Sequence, residues 1–77
     1  MVYLATFYTH HGAMAFFKHC ENEGYVAKMA PVPRSVGSSC GICVYFEADQ
    51  PPEASKHEDM DSCYSIAKDG AFIPVGG

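Results

Sequence analysis

The chain has 77 residues with five basic and nine acidic side chains, a formal net charge of −4, 48% hydrophobic and 18% charged residues. That length makes one domain over residues 1–77, and that apolar content excludes a disordered chain. One Arg and four Lys cannot form the basic stripe that neutralises a phosphate backbone, which excludes nucleic acid as a primary ligand. No apolar run approaches the roughly 20 residues that cross a bilayer, so no membrane partner is expected.

The charge is uneven. Residues 1–46 hold three basic and two acidic side chains, whereas residues 47–77 hold two lysines against seven acids. The N-terminal segment shows neither a basic region nor a small-residue cleavage site, so the expectation is a cytoplasmic protein. Its four cysteines fall short of the roughly 8–10% that marks a disulfide scaffold, and in that compartment they are expected to be reduced. A domain of this size buries only roughly 60% of the surface its unfolded chain exposes, so a metal or a second copy would add to its margin.

Residues 2–8 (VYLATFY) are β-branched and aromatic without a breaker, and predict a central strand. Thr9 then stands as an N-cap. Ala13, Met14, Phe16, Phe17 and Cys20 recur at helical spacing, predicting a helix over 10–23 that stops at Gly24. Cys20 lies on its apolar face and reads as a core residue. Residues 25–30 predict a second strand, ended by Pro31-Val32-Pro33, and Gly37-Ser38-Ser39 a small polar loop. Residues 42–47 (ICVYFE) predict a third strand with Ile42, Val44 and Phe46 on one face and Cys43 and Tyr45 on the other. Pro51-Pro52 opens an acidic stretch to Met60 whose apolar residues are too few for a firm helix, so a short helix or irregular loop is expected. Residues 64–67 and 71–75 predict a hairpin turned at Asp69-Gly70, with Pro74 confining its last strand to an edge.

This order predicts an α+β, ferredoxin-like split βαβ sandwich with an antiparallel sheet, the first strand lying between the third and fourth. With one firm helix, one sheet face is left open, and a homodimer or higher oligomer through it is expected. The topology also brings distant residues together. Cys40, the helix start at His10 and His11, and Arg34 fall at one end of the sheet, where Cys63, near a strand start, either joins them or packs in the core. A thiol beside a helix N-terminus, a guanidinium and imidazoles is in the setting that favours thiolate.

Thr9-His10-His11 opening a helix, Pro31-Val32-Pro33-Arg34, and Ser38-Ser39-Cys40-Gly41 before a hydrophobic strand together resemble the Se/S carrier protein-like family. The resemblance implies a cysteine that holds sulfur or selenium as a persulfide or selenosulfide, and Cys40 is the position that matches. It implies sulfur or selenium donor and acceptor proteins as partners. Within this reading Arg34 and the helix N-terminus stabilise the anion and His10 assists proton transfer, a carrier's role more than a turnover enzyme's.

Two other readings compete with it. Cys40, Cys43 and Cys63, with His10, His11 or His57, could surround a zinc ion, making the protein a non-catalytic metal-binding module, or the same end could hold a small ligand or serve only oligomerisation. Cys40-Gly41-Ile42-Cys43 could instead be a redox pair. Three extended steps would hold its Cα atoms about 10 Å apart, beyond the about 7 Å a disulfide allows, unless Gly41 folds the chain back. Nothing resembles a phosphate-cradling glycine loop, so no organic cofactor is expected.

Overall fold

The computed structural model describes residues 1–37, 40–53, 56, 57 and 59–75. Its elements are β1 (Val2–Phe7), α1 (His10–Asn22), β2 (Ala27–Pro31), β3 (Ile42–Glu47), β4 (Met60–Ile66) and β5 (Phe72–Val75). The strands form one antiparallel sheet in the order β2-β3-β1-β4-β5.

The sequence reason for each helix end is visible. Thr9 is extended (φ −136°), and its hydroxyl accepts the Gly12 N–H at 3.0 Å, satisfying one of the donors a helix start leaves unpaired. At the other end Gly24 takes φ 78°, which lets the Gly24 N–H reach the Glu21 carbonyl at 3.1 Å and the Tyr25 N–H reach Cys20 at 2.9 Å. That pair of bonds is the Schellman closure, and a left-handed residue is what it requires.

The pleat divides the sheet into two faces. Tyr3, Ala5 and Phe7 of β1 face α1, opposite Phe46 and Val44 of β3 and Cys63 and Ser65 of β4. Phe16 reaches down from α1 into this layer, its ring 5.4 Å from Phe7 and 5.0 Å from Phe46. Burying four such aromatic rings, each removing on the order of 150 Å² or more, is the main source of stability in so small a core. On the other face Leu4 is fully buried without a second layer, because its cross-strand partners Tyr45 and Tyr64 flank it.

The expectation of an α+β chain with β1 between β3 and β4 agrees with this sheet. The ferredoxin-like detail is not reproduced as expected. The described residues of 48–59 form no α-helix, and β5 extends the sheet beyond β4 as the edge strand expected from Pro74. The fourth strand also begins at Met60, four residues before the sequence pattern placed it. A register shift opposite Thr6 and Phe7 admits the polar Asp61 and Ser62, and these hid the alternation that resumes at Cys63 and Ser65. The hairpin turn is as expected: Gly70 takes φ 89°, and the Asp69 carboxylate accepts the Ala71 N–H at 3.1 Å. Ser38 and Ser39 of the small polar loop and Ala54 of the acidic stretch lie outside the described residues.

Candidate functional site

The loop between β2 and β3 emerges beside the start of α1. Thr6 pairs with Cys43, so the chain preceding Ile42 lies at the end of β1 that feeds Tyr8, Thr9 and His10. The Val32 N–H donates to the Gly41 carbonyl at 3.1 Å, and the Val36 and Gly37 N–H groups both donate to Pro33, so the loop turns back on itself at Arg34. Gly41 stands at φ 75°, a left-handed conformation that a side-chain-bearing residue enters only with strain.

Cys40 sits in this loop, half-buried and packed against the edge of the core. Its thiol donates to the Ile42 carbonyl at 3.4 Å. Its own carbonyl lies 3.0 Å from His10 Nε2. A carbonyl only accepts, so Nε2 is the nitrogen that carries the proton, and Nδ1 is the one left for other chemistry. The sequence reading placed His10 and Cys40 at one end of the sheet, and the two are hydrogen-bonded there.

Asp59 completes this end and was missed from the sequence. Its carbonyl accepts the Tyr8 N–H at 2.8 Å, and its carboxylate accepts the Thr9 hydroxyl proton at 2.8 Å. It holds φ 59°, rare for any residue but glycine and most accessible to Asn and Asp. The one sequence signal was an acid directly before the true start of β4, which the late strand assignment obscured. A carboxylate here complements the positive end of α1, whose first turn has no acid of its own.

Arg34 is exposed on the loop, at the expected end of the molecule. Among the described residues no ion pair or hydrogen bond joins it to Cys40. Cys63 departs from expectation: because β4 starts at Met60, it lies inside the strand opposite Ala5, buried beneath the α1 layer. Cys43 is fully buried on the opposite face, beside Thr6, with its thiol 3.7 Å from the Pro31 carbonyl. The pleat therefore separates Cys43 from Cys63. Among the described residues no three His, Cys, Asp or Glu side chains are grouped to hold a metal, and His57 packs on Phe16 and His19 rather than beside a cysteine. Gly41 does bend the Cys40–Cys43 segment, yet Cys40 packs toward the α1 side while Cys43 faces away from it.

Burial sets the thiols apart. Desolvation pushes Cys20, Cys43 and Cys63 each up to about 11, with Cys40 adding to the effect on Cys43 and a backbone hydrogen bond at Tyr64 opposing it at Cys63. These three are packing residues at neutral pH, as expected for Cys20.

Away from this end, α1, Tyr25, Phe46, residues 48–52 and His57 line an open cavity of about 380 Å³. Its walls include Phe16, Tyr25, Phe46 and Pro52, with the imidazoles of His19 and His57 among them. Burial, then His19 and Lys56 nearby, lowers the His57 pKa from its ordinary value. No described helix is long and apolar enough to cross a membrane.

Among known proteins, no curated sequence and no solved structure matches the chain. A family model does, over residues 2–60, and that span contains α1, the Pro31–Arg34 segment, Cys40 and Asp59. By this match, which covers more than half its length, the chain belongs to the family described as Putative Se/S carrier protein-like.

Proposed function

We propose that this protein carries sulfur or selenium on Cys40, as a persulfide or selenosulfide, between a donor and an acceptor protein. The observation that supports this most is the contrast among its four thiols: Cys20, Cys43 and Cys63 are buried and Cys40 is partly open. A thiol that must meet two partner proteins in turn has to be reachable, and a buried thiol kept protonated is not.

Loading is a thiol exchange. The Cys40 thiolate attacks the terminal sulfur of a donor persulfide, a new S–S bond forms to Cys40, and the donor's S–S bond breaks. The donor leaves as a thiolate and takes up the proton that Cys40 gave up. Unloading repeats the reaction with an acceptor thiolate as attacker, so neither step needs an outside oxidant. With selenium the bond formed is S–Se and the balance is the same. His10 holds Cys40 by its backbone carbonyl and keeps Nδ1 for proton transfer. Arg34, exposed on the same loop, supplies a cation to the incoming anion when a donor docks.

Cytoplasmic reducing conditions suit such a carrier, because they keep the thiol released at each delivery out of unproductive disulfides. The β3-β1-β4 centre with α1 packed on β1, β2 and β3 supports a ferredoxin-like core in which the described residues form no second α-helix. The test is transfer from a cysteine desulfurase given free cysteine: the protein gains the mass of one sulfur atom, and Cys40→Ser does not.

A further inference from the structure

Asp59 lies directly before β4, outside the loop that bears Cys40, and the carrier reading so far gives it no role. Among the described residues it is the one residue other than glycine with a positive φ. A left-handed backbone costs any residue with a side chain free energy, and such strain persists where surrounding bonds over-determine it. Those bonds are present. The left-handed turn lets Asp59 hold two successive residues of the β1–α1 junction. Its carbonyl accepts the Tyr8 N–H and its carboxylate accepts the Thr9 hydroxyl proton, both at 2.8 Å.

Thr9 leads from there to the thiol-bearing loop. A hydroxyl has a single proton. With that proton directed to Asp59, the oxygen lone pairs are left to accept the Gly12 N–H at 3.0 Å, so the carboxylate sets the orientation of the helix cap. The bond to a carboxylate is also of the stronger, charge-assisted kind. The next residue is His10, whose Nε2 donates to the Cys40 carbonyl at 3.0 Å. Asp59, Thr9, His10 and Cys40 are thus joined by hydrogen bonds and one peptide link. We propose that Asp59 is a positioning residue of the Cys40 site: it holds the first turn of α1 where His10 can fix the Cys40 backbone for attack on a donor persulfide. This role rests on the carrier reading and adds to that site a residue from the far side of β1.

The experiment follows the rate of sulfur transfer from a cysteine desulfurase to Cys40, beside iodoacetamide alkylation of Cys40 and the NMR resonance of its carbonyl carbon. Asp59→Ala slows transfer by at least about 3-fold, within the range that coupled residues of one hydrogen-bond network show. Alkylation stays within about 2-fold, since a small reagent needs an accessible thiol and no alignment of the loop. Asp59→Asn keeps an acceptor oxygen and tolerates the left-handed backbone, so it restores most of the rate. In the His10→Ala background Asp59→Ala adds no further loss, because its path to Cys40 is already cut. The Cys40 carbonyl resonance moves in Asp59→Ala in the same direction as in His10→Ala, and holds in Asp59→Asn. Circular dichroism checks each fold, and Asp59→Gly, which accepts the same φ, replaces Asp59→Ala if the latter does not fold. An unmoved resonance, a full effect in the His10→Ala background, or equal slowing of transfer and alkylation would overturn the positioning role. Failure of the unaltered protein to take up sulfur would overturn the carrier reading instead, and the resonance alone would then decide whether Asp59 holds Cys40.

Discussion

His10 Nε2 lies 3.0 Å from the carbonyl oxygen of Cys40, a hydrogen bond that spans 30 residues of chain and ties the thiol-bearing loop to the first turn of α1. The bond fixes the backbone of Cys40 rather than its sulfur. In the carrier reading proposed above, His10 is first a positioning residue, with proton transfer left to Nδ1.

His10→Ala is therefore expected to cost about 0.5–1.5 kcal/mol in urea denaturation, the usual worth of one such bond. His10→Gln retains an N–H donor and should recover part of that loss. Sulfur loading should fall in His10→Ala while the small-reagent reactivity of Cys40 persists. Equal stability of all three proteins would show that the tether contributes nothing in solution.

Alkylation with iodoacetamide at neutral pH, followed by peptide mapping, should label Cys40 well before the other three cysteines. Cys20, Cys43 and Cys63 are pushed up to about 11 and lack solvent access, so they react only after unfolding. Early labelling of Cys63 would mean that the β4–β5 side opens far more often than its burial implies.

The same burial predicts an alkaline limit. A thiol titrating near 9.0 when unfolded and about 11 when folded leaves the unfolded chain with fewer protons between those values. Stability from this source is complete below pH about 9 and is lost as pH rises toward about 11. Melting temperature should fall across that window, and Cys63→Ala, though less stable throughout, should show a shallower fall.

On the acid side His57 acts in the opposite sense. Its pKa is lowered in the fold by burial first and by its cationic neighbours second, so the unfolded chain takes up the proton earlier. Its contribution is present above the ordinary imidazole value of 6.5 and is lost as pH falls below it. His57→Gln should flatten the decline in melting temperature over that range. An unchanged slope would place the acid sensitivity elsewhere.

The sheet centre, α1 with both caps, β3 and the terminal hairpin were legible because each is locally specified. Thr9 and Gly24 bracket the helix, ICVYFE spans a strand without a breaker, and Asp69-Gly70 is a turn. Antiparallel topology then carried Cys40 to His10, since strands flanking β1 must begin where it ends. What failed was set by tertiary context. The start of β4 depends on a register shift at Thr6 and Phe7 that no local pattern announces, and the error displaced Cys63 toward the site and hid Asp59. His19 and His57 meet only because His57 packs over Phe16, a placement that the composition around it does not encode.

The most direct measurement of the carrier assignment is tandem mass spectrometry of the protein after incubation with a cysteine desulfurase and cysteine. The account predicts one added sulfur, located on the Cys40 peptide, removed by dithiothreitol, retained in Cys20→Ser and absent in Cys40→Ser. Sulfur spread over several cysteines, or undiminished in Cys40→Ser, would contradict it.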